Sequence, residues 1–120
     1  MGVEFRSIFL LFCVVALTVY GQLVIKARAL AHAADGSAYL KAMLFDPGVL
    51  SGLAAAGLAA VAWILAIERL EVGFAYPFMA LSFVFVPLGA KFMFTEPLPP
   101  LQILGMALIV IGISMSALAR

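Results

Sequence analysis

Four apolar runs, separated by short clusters of charge and proline, organise the chain: Ser7 to Ala27, Pro47 to Ile67, Gly73 to Phe94 and Pro99 to Leu118. Each is about 20 residues long, which as α-helix crosses the ~30 Å hydrocarbon layer of a bilayer. The pattern predicts an all-α integral membrane protein, one domain of four transmembrane helices with both termini on the same side. Composition agrees: 67% of the 120 residues are hydrophobic and 11% charged, with a mean hydropathy of +1.24. That is too little polar side chain to coat a soluble globule. Little sequence is left over for a soluble or catalytic domain, and the chain has no internal repeat.

The first run is expected to stay as a span. It exceeds the 7 to 15 residue core of a signal peptide, and Lys26 and Arg28 are poor company for a cleavage site. Cys13 lies inside this run and reads as a small packing residue. The loop from Arg28 to Asp46 carries a stretch in which Tyr39, Leu40, Met43 and Leu44 predict a short interfacial helix before Pro47 starts the next span. His32, alone in this loop, is expected to be solvated or interfacial; no second His and no Cys pair exists to complete a metal site. Basic residues barely bias orientation, with Arg6, Arg69 and Arg120 on one side and Lys26, Arg28, Lys41 and Lys91 on the other. Removing Lys26 and Lys91 from the count reverses the bias, which fits dual insertion or orientation by a partner subunit.

Within the first run, Thr18, Gln22 and Lys26 are spaced i, i+4, i+8 and share one helix face. Polar and ionisable residues in spans usually face a bundle interior or wet cavity, although Lys26 could also snorkel from the helix end and Gln22 bond a neighbouring helix. Lys91, near the end of the third run, is expected at similar depth. With Arg28 above them the two lysines would form an anion-attracting zone suited to a phosphate headgroup, which Glu96 could neutralise by pairing with either. Pro77 and Pro87 predict kinks in the third span, and Tyr76 precedes the first. Gly52, Ala56 and Ala60 at four-residue spacing, and Gly105 and Gly112 two turns apart, mark helix-packing faces, the latter a candidate contact for a second subunit.

The segments GQLVIKA (Gly21 to Ala27), GFAYPFMALSFVFVPLGA (Gly73 to Ala90) and TEPLPPLQILGMALIVIGI (Thr95 to Ile113) resemble the smallest members of the drug/metabolite transporter superfamily. These are EamA-like four-helix proteins that include the small multidrug resistance exporters. Within that group the chain is most similar to the paired subunits of the aminoarabinose-phosphoundecaprenol flippase. The resemblance implies translocation of an undecaprenyl phosphate-linked sugar across a bacterial inner membrane. It also implies a homodimer, or a heterodimer with a related four-helix subunit. Lys26, Lys91 and Arg28 would then hold the phosphate, with Gln22, Thr18 and Tyr76 lining the polar cavity.

One departure bears on the alternative of cation export. The multidrug exporters carry a membrane glutamate one turn before the glycine that corresponds to Gly21, and Thr18 stands in that place here. Glu68, Glu71 and Glu96 all fall at span ends or turns, and a cation needs a buried carboxylate. A further alternative is a non-transporting accessory subunit of a membrane glycosyltransferase. No nucleophile with a base, no metal cluster, no cofactor motif and no basic stripe for nucleic acid is present, so enzyme and nucleic-acid classes are not expected.

Overall fold

A computed structural model describes residues 5–119, and Arg120 lies outside them. Six α-helices follow one another: α1 (Phe5–Ala31), α2 (Tyr39–Leu44), α3 (Pro47–Ile67), α4 (Val72–Met79), α5 (Ser82–Phe94) and α6 (Pro100–Leu118), with a short 3₁₀ segment, Ala33–Ala38, before α2. Helices α4 and α5 form one broken span, so four helical stretches are long and apolar enough to cross a membrane: Phe5–Ala31, Pro47–Ile67, Val72–Phe94 and Pro100–Leu118. The chain is an all-α, multi-pass membrane protein.

Local chemistry sets the ends. Asp46, in extended conformation, accepts hydrogen bonds from the Gly48 and Val49 amides and Pro47 occupies the first helical turn, a strong start signal for α3. At the end of α5, Thr95 adopts a left-handed conformation (φ 53°), and the Glu96 amide bonds back to the Ala90 carbonyl at 3.5 Å. That reversal turns the chain towards α6. The break between α4 and α5 falls at Ala80 and Leu81, whose amides reach back only three residues, to Pro77 and Phe78. Both Pro77 and Pro87 lie inside helices, and the tight stretch sits between them. It ends beside Phe83, whose carbonyl Pro87 cannot serve because proline has no N–H.

Helix α1 is the centre of the molecule, packed on α3 along its length and touching α4 and α5, while α6 packs on α4 and α5. The α3 face towards it is built from Val49, Gly52, Ala55, Ala59, Ala62 and Ala66. These small residues recur every third or fourth position, as a 3.6-residue repeat requires. Ala56, expected on that face from its strict four-residue spacing to Gly52, is exposed instead, because a constant step of four drifts off a helix stripe. Closest approach is at Gly21 and Gly52. A Cβ on Gly21 would lie 3.1 Å from the Gly52 carbonyl oxygen, and one on Gly52 would lie 2.8 Å from the Val24 side chain. A Cβ added to Gly105 or Gly112 would meet nothing within 4 Å, so their face is not used for packing within the chain. Apolar clusters extend the α1–α3 contact: Val14 with Ala59 and Ala62, and Leu11 with Ala66, Phe74 and Ala75.

The result is a slab of 52 × 35 × 19 Å. It is too thin to enclose a chamber, and its cavities are surface grooves. Replacing Gly21 with leucine is expected to destabilise the protein by about 1–3 kcal/mol through overpacking against α3 backbone, which cannot yield. Gly57→Ala, where nothing lies within 4 Å, is expected to be neutral or slightly stabilising. Equilibrium unfolding in mixed micelles measures both.

Candidate functional site

The fixed rotation of α1 sorts its other residues onto two flanks. One carries Thr18, Gln22 and Lys26. Thr18 is shared by two grooves: one of about 280 Å³ reaching Tyr76, Trp63 and Ala56, and one of about 330 Å³ reaching Gln22, Ser82 and Pro87. Thr18, Gln22 and Tyr76, the three residues expected to form a polar cavity, therefore line two grooves that meet at Thr18. Tyr76 is held edge-on to Trp63, with ring centroids 5.8 Å apart and its own side chain largely exposed. Ser82, which the sequence does not single out, lines the same groove as Gln22, and its buried hydroxyl has no hydrogen-bond partner among the described residues. The signal that could have found it is a hydroxyl in an apolar run between two prolines.

At the end of this flank the Lys26 ammonium pairs with Glu96 at 3.2 Å, both side chains being nearly half exposed. The left-handed turn at Thr95 is what brings Glu96 back to α1. Lys91 is exposed and forms no ion pair among the described residues. Gly89 faces α1, since a Cβ there would lie 2.6 Å from a Leu23 methyl carbon. Lys91 is two residues on, about 200° round the helix, and so points away from α1. Within one chain the two lysines are not brought together.

Arg28 is placed elsewhere again. Two residues after Lys26, it projects from the opposite face of α1, where its stem lies over Gly48 and its Nε donates to Asp46 at 2.9 Å. Asp46 is a buried hub: besides Arg28 and the two α3 amides, it bonds His32 Nε2 at 2.7 Å, while His32 Nδ1 meets Asp35 at 2.8 Å. His32 is thus half-buried in a clasp rather than solvated. It arrives there because α1 runs on to Ala31, carrying it one turn past Arg28. The hydrogen bond from His32 holds the Asp46 carboxyl far below its ordinary range, and the bonds to Asp46 and Asp35 raise the His32 pKa above 6.5. Among the described residues no cluster with metal-ligating geometry forms.

On the other flank of α1 a larger groove of about 660 Å³ lies against α5 and is almost wholly apolar. The sequence gives no hint of it, because its two walls are far apart in the chain.

Curated relatives share this chain's sequence over most of its length. It is 43% identical over 83 residues to a protein of Pseudomonas aeruginosa named probable 4-amino-4-deoxy-L-arabinose-phosphoundecaprenol flippase subunit ArnE, covering 69% of this chain and 70% of that protein. The protein of the same name from Pseudomonas paraeruginosa is 45% identical over 83 residues, with the same coverage. Its counterpart from Salmonella paratyphi B is 47% identical over 57 residues, covering 48% of this chain and 51% of that protein. No family model and no solved structure matches the chain.

The clasp has a defined pH window. A histidine with a raised pKa contributes stability below its ordinary value of 6.5 and loses it as pH rises through the raised value; a depressed aspartate contributes above its ordinary value of 3.8 and loses it as pH falls. The clasp is therefore strongest from about pH 4 to 6.5. NMR titration of the His32 ring should give a pKa above 6.5 that falls towards that value in Asp46→Asn.

Proposed function

The chain belongs to the family of the 4-amino-4-deoxy-L-arabinose-phosphoundecaprenol flippase subunits ArnE, and from that kinship we propose that it works as a flippase subunit, moving a polyprenyl phosphate-linked sugar across the bacterial inner membrane. The observation that carries the reading is the file of Thr18, Gln22 and Lys26 on one flank of α1, ending at a lysine paired with Glu96. A sugar headgroup entering hydrocarbon leaves behind its bonds to water, at a cost of several kcal/mol for each polar group without a partner. Thr18, Gln22, Ser82 and Tyr76 offer replacement partners along the grooves while the tail stays in lipid.

Lys26 anchors the phosphate by charge-assisted hydrogen bonds, and Glu96 is its resting counter-ion, displaced when the phosphate arrives. Lys91, facing away from α1, reaches a phosphate only from a neighbouring subunit. That supports a dimer, either of identical chains or with a related four-helix subunit, as the transport unit. Arg28 contributes indirectly, by fixing the loop through Asp46. Movement down a concentration gradient needs no coupling ion. Described carboxylates lie at the span ends and in the loops, and Thr18 stands where a cation exporter carries its glutamate, so an anionic headgroup suits the site better than a cationic solute.

Proteoliposomes carrying a fluorescent polyprenyl phosphate-sugar test this. Lys26→Ala combined with Lys91→Ala should lower the initial flipping rate about tenfold or more, with Lys26→Arg retaining most of it. Glu96→Gln should tighten lipid binding by freeing Lys26. Undiminished flipping in the double variant would end the phosphate-site assignment.

A further inference from the structure

The apolar groove between α1 and α5 plays no part in handling a sugar, yet it leads to the same lysine. Ala16, Tyr20 and Leu23 line it from α1, and Phe85, Leu88 and Phe92 from α5. Its walls are continuous for about 16 Å along α1, from Phe12 to Leu23. Gly89 lets the two helices approach at the end nearest Lys26, where its missing Cβ makes room for Leu23. Lys26 follows one turn past Leu23, the last α1 residue of that lining, and two turns beyond Val19, and its ammonium is held there by Glu96 at 3.2 Å. Tyr20 offers its ring to the groove while its hydroxyl hydrogen-bonds Ser51 of α3 at 3.0 Å. The groove is thus a long apolar trough, rich in aromatic rings, with the Lys26–Glu96 ion pair beyond one end.

We infer that this groove holds the head-proximal isoprene units of the lipid-linked substrate, with Lys26 taking the phosphate to which they are attached. The inference rests on the flippase reading and adds a tail site to it. An amphiphile with an anionic head and an apolar chain matches the trough in both respects. The methyl-branched, unsaturated chain fills it better than a straight acyl chain, because its methyls and flat double bonds pack against the rings of Tyr20, Phe85 and Phe92. Since Lys26 stands between this groove and the polar one, head and tail part at that residue: the sugar enters the Gln22 groove and the chain lies on the opposite side. Discrimination between isoprenoid and acyl lipids then resides in α1 and α5, independently of the sugar.

The test uses full-length protein in phosphatidylethanolamine nanodiscs with geranylgeranyl phosphate carrying a photoreactive diazirine on its head-proximal units. Cross-linked peptides are mapped by mass spectrometry and the oligomeric state is read alongside. Label should fall on Phe12 to Leu23 and Phe85 to Phe92, and unlabelled geranylgeranyl phosphate should compete better than a saturated alkyl phosphate. Ala16→Trp, which fills the trough at an exposed position, and Phe92→Ala, which strips one wall, should each cut that labelling by about tenfold. Ala54→Trp, exposed on α3 outside the groove, should not.

Lys26-dependent binding with label elsewhere, or groove label displaced equally by the alkyl phosphate, would overturn the tail site and leave the flippase reading standing. So would dissociation of a dimer by Ala16→Trp, which would assign the groove to a second copy. Absence of any lysine-dependent binding of the prenyl phosphate to wild type would remove the flippase reading and the tail site together.

Discussion

The contact between α1 and α3 at Gly21 and Gly52 governs everything else in this molecule. In lipid, apolar surface gains nothing by leaving the solvent, so helices hold together by close packing and by the backbone contacts that small residues permit. Two glycines facing each other bring these backbones to touching distance, and the small-residue stripe of α3 extends the contact along the helix. With one face of α1 so committed, its rotation is set. The polar file of Thr18, Gln22 and Lys26 must then emerge on one flank, the apolar trough on the other, and Arg28 on the α3 side itself, over Gly48 and towards Asp46. A modest rotation of α1 would scramble all three.

That geometry separates chemistries which the bare sequence places side by side. Lys26 and Arg28 look like partners in a basic cluster, yet a two-residue step on a helix sets them on opposite faces. Arg28 belongs to the clasp that ties the start of α3 to the end of α1, whereas Lys26 belongs to the grooves. The clasp gathers Arg28, His32 and two backbone amides around Asp46, with Asp35 bonded to His32, and so ties the loop to both helices. The thin slab and the unused face of α6 at Gly105 and Gly112 are consistent with a site completed by another subunit.

Much of this was legible in the chain. Four runs of spanning length declare four spans, because a backbone crossing hydrocarbon has almost no alternative to helix. The i, i+4, i+8 spacing of Thr18, Gln22 and Lys26 predicts their shared face, and Pro47 marks the start of the second span, although the Asp46 cap before it emerges only in the structure. What the chain does not display is pairing between distant segments: that Gly21 meets Gly52, that Glu96 reaches Lys26 rather than Lys91, and that α5 walls a trough on α1. Those contacts depend on helix rotation, which periodicity leaves free. The break at Ala80 and Leu81 is intermediate, for two prolines announce a disturbance without saying where between them the helix yields.

Whether this protein handles a polyprenyl phosphate-linked sugar is decided by native mass spectrometry of the wild type, released from its own membranes in mild detergent. The expected result is a retained mass equal to a polyprenyl phosphate carrying one sugar, bound to a dimer. Well-folded protein that carries no such lipid, but travels with a stoichiometric membrane enzyme, would make the chain an accessory subunit and not a flippase.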